Sequence, residues 1–210
     1  MTQLLSRPLI LASASPRRAE LLRQLGIDFT VSPAHVEEPL PRPGEELLQW
    51  VRKAAEDKAR ASATGMTSAP RLILGADTVV VLPDSVDANA PRFHGSGADI
   101  LGKPVDAEDA RRMLFKLSGR EHMVLSGFAL IAHPEGNIVS EVVETHVHFR
   151  QLTRREIDDY VASGEPLDKA GAYGIQGRGA VFITAIQGDY YTVVGLPLSR
   201  LWAKLMQWMV

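Results

Sequence analysis

The chain of 210 residues contains no cysteine. Disulfide bonds, zinc–thiolate sites and a catalytic thiol are therefore excluded, which removes several classes of enzyme. The chain also lacks a large excess of positive or negative charge, with a formal net charge of only -2. A protein of this charge has no general attraction for nucleic acid or for an anionic membrane surface, so we expect neither as a partner.

Long apolar runs are missing as well. No stretch approaches the roughly 18 apolar residues that a membrane-spanning helix needs, and the first residues do not combine a basic segment with an apolar run and a cleavage site. We therefore predict a cytoplasmic protein without a membrane association. Hydrophobic residues nevertheless make up 45% of the chain, which is enough to bury a sizeable core.

The pattern of apolar residues alternates between strands and helices, which favours an α/β fold. Strands are predicted at 8–12, 29–32, 72–82, 122–132, 138–152, 180–186 and 190–194. Helices are predicted at 16–25, 45–62, 106–119, after the capping box formed by Thr153 and Glu156, and from Pro197 onward. Gly75-Ala76-Asp77 is expected to interrupt the strand at 72–82.

The segment Ser13-Ala14-Ser15-Pro16-Arg17-Arg18 directly follows the first predicted strand. Ser15 is a favourable N-cap and Pro16 suits the first position of a helix, so a helix is predicted to begin here. The free N–H groups of a first helical turn favour anions, and an arginine side chain matches two phosphate oxygens. The segment therefore predicts phosphate binding, although two solvated arginines at a helix start are the alternative.

Asp77 stands within an otherwise apolar stretch and is followed by Thr78. Burying an unpaired charge is costly, so this aspartate needs a cation, a metal ion or a catalytic role. An aspartate that caps a turn is the alternative that these residues leave open. Further charged candidates, each typical of a solvated surface when taken alone, are Glu37-Glu38, Lys58 and Lys103.

A glycine-rich segment, Gly171 to Gly179, follows Glu165-Pro166-Leu167-Asp168-Lys169-Ala170. Glycines let a backbone approach a ligand closely, and the planar amide of Gln176 offers one donor and one acceptor, as reading a nucleobase edge requires. The order of the glycines is not that of the dinucleotide-binding fingerprint, so a simple connecting loop is the alternative.

Taken together, the chain resembles the Maf family of nucleoside triphosphate pyrophosphatases in segments that span it in order: SASPRR, VEE, AAEDKARA, LGADTVV, LGKP, EPLDKAGAYGIQGRGA and VVGLPL. Arg17, Thr78 and Gln176 are similar to the branch that hydrolyses dTTP and UTP, whereas the branch acting on 7-methyl-GTP differs at these places. The resemblance implies an α/β fold with a mixed twisted sheet and helices in two lobes around a central nucleotide cleft, related to the inosine triphosphate pyrophosphatases. It also implies a single Maf-like domain over residues 1–210.

The resemblance further implies hydrolysis of dTTP and UTP, or of modified pyrimidine triphosphates, to the monophosphate and pyrophosphate. Asp77 is the expected general base, and Glu38 and Asp77 are expected to hold a divalent metal cation, Mg²⁺ or Mn²⁺. The expected phosphate contacts are Ser13, Arg17, Arg18, Lys58 and Lys103, of which both lysines count as catalytic. The expected specificity positions are Arg17, Thr78 and Gln176. The chemistry agrees, because hydrolysis of a polyanion needs cations on its oxygens and a carboxylate that deprotonates water.

The sequence leaves two other functions open. One is a nucleotide-binding regulator of cell division, since the family is associated with septum formation, and the other is a pyrophosphatase for modified purine nucleotides. The oligomeric state is open too, with a homodimer as one arrangement. Residues 83–100 are predicted to be a flexible insertion, or alternatively a lid that carries His94.

Overall fold

The structure is a computed structural model that describes residues 5–33, 36, 41, 45–83 and 98–209. The strands are Leu9–Leu11 (β1), Phe29–Val31 (β2), Arg71–Pro83 (β3), Ala98–Leu101 (β4), Glu121–His133 (β5), Asn137–Phe149 (β6) and Ile183–Gln187 (β7). The α-helices are Pro16–Gln24 (α1), Leu47–Ala63 (α2), Ala107–Leu117 (α3), Arg154–Ala162 (α4), Tyr190–Val194 (α5) and Leu198–Leu205 (α6). Short 3₁₀ helices cover Glu165–Asp168, Ala170–Ala172, Arg178–Phe182 and Met206–Trp208.

Within the described residues, the strands form a seven-stranded sheet with the order β2-β1-β3-β5-β6-β7, and β4 pairs with β3 off this path. Strand β1 runs parallel to β2 and β3, whereas β4 is antiparallel to β3 and β7 is antiparallel to β6. The sheet is therefore mixed and strands alternate with helices, which confirms the predicted α/β class. Among the residues that the structure describes, no helix has the length and apolar character needed to cross a membrane.

Two helix starts follow directly from the sequence. The hydroxyl of Thr153 accepts a hydrogen bond from the N–H of Glu156, whose carboxylate accepts one from the N–H of Thr153, so the predicted capping box of α4 is confirmed. The carboxylate of Asp106 accepts from the N–H of Asp109 and caps α3. Ser15 occupies the N-cap position of α1, but its side chain makes no capping hydrogen bond.

Strand β3 passes through Gly75-Ala76-Asp77 without a break, so the predicted interruption is wrong. The strand is paired on both sides of this point, with β1 at Leu72 to Leu74 and with β4 at Val80 to Pro83. Pairing at both ends holds the extended backbone across the intervening polar residue. Asp77 therefore does not cap a turn.

Residues 190–194 form the helix α5 rather than the predicted strand. The carboxylate of Asp189 accepts hydrogen bonds from the N–H groups of Tyr191 and Thr192, both at 3.2 Å, and from the Thr192 hydroxyl at 2.9 Å. These bonds satisfy free donors of a first helical turn, and this local cap overrides the strand preference of aromatic and β-branched residues.

The chain divides into two compact units. Unit 1 consists of Met1–Asp77, Ser126–Val143 and Gly195–Val210, and unit 2 consists of Thr78–Leu125 and Glu144–Val194. The single domain predicted over residues 1–210 stays a prediction. Ala98–Leu101, at the end of the predicted insertion, belong to β4, whereas residues 84–97, with His94, lie outside the described residues.

In unit 1, helix α2 packs tightly on β3 through small residues. Ala55 and Ala59 are fully buried and face Gly75, where an added Cβ would lie 2.2 Å from the carbonyl oxygen of Ala55 and 2.7 Å from the nitrogen of Ala59. Only glycine permits this approach of helix and strand. Unit 2 has a separate core of apolar residues from its strands, from α3 and α4 and from the aromatic side chains Phe149, Tyr160, Tyr173 and Phe182.

His122 lies inside this second core and is fully buried. A hydrogen bond of 2.8 Å joins its Nε2 to the hydroxyl of Tyr173, and among the described residues its Nδ1 has no hydrogen-bond partner. Burial, and secondarily the charge of His148, lowers the pKa of His122 to about 3 from 6.5. The imidazole is therefore neutral in the folded protein throughout the ordinary pH range.

We expect this neutral imidazole to make folding stability fall as the pH is lowered. The unfolded chain takes up a proton below pH 6.5 and the folded chain does not until about pH 3, so the contribution is complete above the unfolded pKa and shrinks on acidification. Between pH 7 and pH 5 the loss is about 2 kcal/mol. Urea unfolding at both pH values should show this loss in the wild type and its absence in His122→Asn, with His133→Asn as the control. A loss that persists in His122→Asn contradicts the assignment.

Candidate active site

In unit 1, the close contact between α2 and β3 brings Lys58 to Asp77. Asp77 is buried, with 5% of its surface exposed, and Nζ of Lys58 donates to its Oδ1 at 2.6 Å. The side chains of the pair are 13% and 7% exposed. A buried carboxylate requires such a partner, because its charge would otherwise be uncompensated. The structure thus supplies the cation that the sequence indicated as one of three possibilities.

Arg18 ties the loop before α1 to the backbone next to Asp77. Its Nη1 donates to Oγ of Ser13 at 3.0 Å and to the carbonyl oxygen of Ala76 at 2.9 Å, while its Nε donates to the carbonyl oxygen of Gly195 at 2.9 Å. Ser13 is 8% exposed and also accepts from the N–H of Ser15. These bonds position Ser13 beside the strand that carries Asp77, a role of Arg18 that the sequence did not indicate.

Unit 1 therefore brings together most of the residues predicted to bind phosphate and to act on water. Arg18 connects Ser13 to the residue before Asp77, and Lys58 binds Asp77 itself. Arg17 is half-buried on the first turn of α1, next to Arg18. That each of these side chains binds a nucleotide stays a prediction.

Of the two predicted metal ligands, Asp77 lies among the residues that the structure describes. Among the described residues, no group of three or more histidine, aspartate or glutamate side chains could hold a metal ion. Asp77 offers the carboxylate oxygens that Mg²⁺ and Mn²⁺ favour, and Mg²⁺ is usually held by one or two carboxylates together with substrate phosphates. Asp77 therefore fits an ion that is shared with a nucleotide. Glu38, the second predicted ligand, lies outside the described residues.

In unit 2, backbone contacts hold the glycine-rich segment close to the other predicted positions. The N–H of Gly171 donates to the carbonyl oxygen of Gly102, which precedes Lys103, at 3.0 Å. A Cβ added at Gly171 would lie 2.7 Å from a methyl group of Val80, so the segment packs on β3 close to Thr78. The exposed Lys103 and the half-buried Thr78 thus lie on segments that contact the glycine-rich segment.

Gln176 lies at the exposed tip of a turn from Gly174 to Gly177. The turn is joined to Tyr160 and Glu165 by hydrogen bonds to its flanking N–H groups. The sequence motif contains Glu165 without indicating a role for it, and no motif includes Tyr160. The signal available in the sequence was the carboxylate that precedes several glycines, since glycine-rich backbone leaves N–H groups that need acceptors.

The chain is similar to known proteins over most of its length. A family model described as Maf-like protein matches residues 8–208. A relative from Geobacter sp. is 49% identical, with 91% of each chain covered, and one from Moorella thermoacetica is 49% identical, with 91% of this chain and 90% of its own covered. A third, from Dictyoglomus thermophilum, is 44% identical over 94% of each chain. All three are named dTTP/UTP pyrophosphatase.

A solved structure of a nucleoside-triphosphatase / dITP/XTP pyrophosphatase from Mycobacterium abscessus aligns over 95% of each chain, with 19% identity and a TM-score of 0.40. This similarity is too weak to support a conclusion. The family match and the sequence identities are sufficient by themselves. Since the match extends from residue 8 to residue 208 and the relatives cover nearly the full chain, the protein belongs to the Maf family.

Proposed function

We propose that the protein is a nucleoside triphosphate pyrophosphatase that hydrolyses dTTP and UTP to the monophosphate and pyrophosphate. The observation that carries this proposal is the buried Asp77 carboxylate held by Lys58 at 2.6 Å, next to the backbone that Arg18 ties to Ser13. A carboxylate fixed in this way can accept a proton from water. The names of relatives at 44–49% identity support the choice of substrate.

In the proposed reaction, the oxygen of a water molecule attacks the α-phosphorus while Asp77 accepts the proton of that water. The bond between the α-phosphorus and the oxygen bridging to the β-phosphorus breaks, and pyrophosphate leaves with the bonding electrons. Lys58 orients Asp77, and Arg17 and Lys103 stabilise negative charge on the phosphate oxygens. Ser13 contributes a hydroxyl in the same role. Glu38 and Asp77 would hold Mg²⁺ or Mn²⁺, which would supply additional positive charge to the phosphates.

Hydrolysis in ¹⁸O-labelled water tests this assignment. Attack at the α-phosphorus places the label in the nucleoside monophosphate, whereas attack at the β-phosphorus places it in pyrophosphate. The assay should cover dTTP, UTP, CTP, a modified purine triphosphate and 7-methyl-GTP, with Mg²⁺ and with Mn²⁺. Preferred turnover of the purine nucleotide supports the alternative substrate class, and binding without turnover supports a regulator. The cytoplasmic location and the homodimer stay predictions.

Gln176 is the expected reader of the base. Its amide can accept from the N3 hydrogen of uracil or thymine and donate to a carbonyl oxygen, a pairing that the edge of cytosine does not offer. We therefore expect Gln176→Ala to reduce kcat/KM for dTTP and UTP more than for CTP, by roughly 10-fold in the ratio, because a polar site rejects ligands that leave its groups unpaired. Gln187→Ala, at an exposed position of unit 2, is the control. Equal losses of kcat/KM on all nucleotides would show that Gln176 has a structural role and does not read the base.

A further inference from the structure

The turn that carries Gln176 is weakly closed by its own backbone. The bond from the N–H of Gly177 to the carbonyl oxygen of Gly174 is 3.4 Å long, beyond the usual range for a backbone hydrogen bond. Gln176 is exposed, so packing of its side chain does not fix the turn either. The shape of the turn therefore depends on contacts made outside it.

Two side chains supply these contacts, one on each side of the turn. The hydroxyl oxygen of Tyr160 accepts from the N–H of Gly174 at 3.1 Å. The carboxylate of Glu165 accepts a hydrogen bond from the N–H of Arg178 at 2.9 Å through Oε2, and a longer, weaker one from the N–H of Gly179 at 3.4 Å through Oε1. The Tyr160 hydroxyl donates to Oε1 of Glu165 at 2.9 Å, so the two sides are joined into one network.

The carboxylate of Glu165 has little freedom to leave this position. Its backbone N–H donates to Oγ of Ser163 at 3.3 Å, and its carbonyl oxygen accepts from Nζ of Lys169 at 2.6 Å. A Cβ added at Gly177 would lie 2.2 Å from Oε1 of Glu165, so the turn fits directly against the carboxylate. Burial opposes ionisation of Glu165, but the hydrogen bonds from Arg178, Tyr160 and Gly179 outweigh it and lower the pKa of Glu165 below its ordinary value.

We propose that Glu165, joined to Tyr160, is a positioning residue that determines base specificity by fixing the turn on which Gln176 is presented. This assignment rests on the proposed function, in which Gln176 reads uracil or thymine. A glutamine amide can turn over and offer its donor and acceptor in exchanged positions, so discrimination requires neighbouring groups that fix the amide. The backbone of Gly174 to Gly179 can supply such groups only while the turn keeps one shape. The network of Glu165 and Tyr160 provides that constraint within unit 2.

Glu165→Gln is the sharpest test, because it preserves the shape of the side chain. A glutamine has one acceptor oxygen, whereas Oε1 and Oε2 each face a backbone N–H. In either orientation its NH₂ group meets one of these N–H donors, so either the 2.9 Å bond from Arg178 or the longer bond from Gly179 is lost. The neutral amide oxygen also holds the remaining donor less strongly than a carboxylate does. Tyr160→Phe removes the acceptor for Gly174 while keeping the ring. Asp159→Asn is the matched control, since it also removes one negative charge but lies next to Tyr160 with its side chain 68% exposed.

The readout is the ratio of kcat/KM for UTP to kcat/KM for CTP, together with amide hydrogen exchange of the ligand-free protein. We expect Glu165→Gln to lower the ratio about 10-fold, the factor associated with one lost charge-assisted hydrogen bond. Exchange at Arg178 and Gly179 should become faster, while Asp159→Asn leaves both readouts unchanged. Tyr160→Phe should also lower the ratio, and the double variant should lower it by less than the product of the single effects.

Equal losses of kcat/KM on UTP and CTP in a folded Glu165→Gln protein would overturn the assignment, because a structural role alone predicts no change in the ratio. An unchanged ratio with unchanged exchange would overturn it as well. If Glu165→Gln does not fold, the ratio of kcat/KM for UTP to that for CTP in Tyr160→Phe tests the assignment by the same criteria. A wild-type protein that hydrolyses neither UTP nor dTTP would instead remove the proposed function, and the specificity role with it, so the two failures are distinguishable.

Discussion

Asp77→Asn should reduce kcat for dTTP and UTP by about 100-fold or more. The substitution nearly preserves the shape of the side chain, but it removes the base that accepts the proton of water and the charge that faces Lys58 at 2.6 Å. The step that this carboxylate assists then proceeds without a positioned base. Steady-state kinetics with saturating nucleotide measure the loss, and binding of a non-hydrolysable UTP analogue shows whether the site still accepts its ligand.

The control for this variant must address folding. Replacing Asp77 leaves the largely buried ammonium of Lys58 without its carboxylate, and breaking a buried pair is strongly destabilising. Kinetics should therefore be measured well below the Tm of the variant, with circular dichroism confirming that it is folded. Asp57→Asn, one position before Lys58 on α2 and with its side chain 38% exposed, is the matched control and should retain activity. Wild-type turnover by folded Asp77→Asn would exclude Asp77 as the base.

Gly75→Ala should destabilise the protein by roughly 3 kcal/mol or more. The new Cβ would lie 2.2 Å from the Ala55 carbonyl oxygen and 2.7 Å from the Ala59 nitrogen, both of them backbone atoms that no rotamer change can move. Helix α2 must then shift away from β3. Because Lys58 lies on α2 and Asp77 on β3, the same shift lengthens the bond between them, so kcat should fall in the protein that remains folded.

Urea unfolding measures this loss of stability. Gly102→Ala is the matched control, because a Cβ added at Gly102 meets no atom within 4 Å. The control should lie within about 0.5 kcal/mol of the wild type, the range usual for surface substitutions. A Gly75→Ala protein as stable as the control would mean that α2 does not rest on β3 as described.

Local patterns predicted most of the fold because the forces that form these elements act over a few residues. The capping box of α4 and the alternation of strands and helices both lie within short windows of sequence. The strand predicted at 180–186 begins only at Ile183, after a 3₁₀ helix that ends at Phe182. In two further wrong predictions, a contact overrode propensity. The Asp189 carboxylate makes residues 190–194 helical, and pairing on both sides keeps β3 extended through Asp77.

The candidate site was predictable as a set of residues but not as a set of contacts. The resemblance identified Ser13, Arg18, Lys58 and Asp77, yet which cation pairs with which carboxylate depends on how helices and strands pack. Arg18 and Gly195 are separated by 177 positions, and periodicity carries no information at that range. The bond from Lys58 to Asp77 depends on Gly75, a glycine that in the sequence indicated a break in the strand.

Unit 1 is formed by three separate stretches of the chain, so it cannot be complete until the last of them has been synthesised. Gly195–Val210 belong to unit 1, whereas every residue of unit 2 precedes them. At about 5–20 residues per second, a ribosome needs roughly 10 to 35 s to travel from Arg18 to the acceptor of its Nε at Gly195. During that interval all of unit 2 is synthesised while the acceptor is still missing from unit 1. The residues around Asp77 therefore gain their last tether late in translation, and ribosome-bound chains halted before Gly195 should lack it.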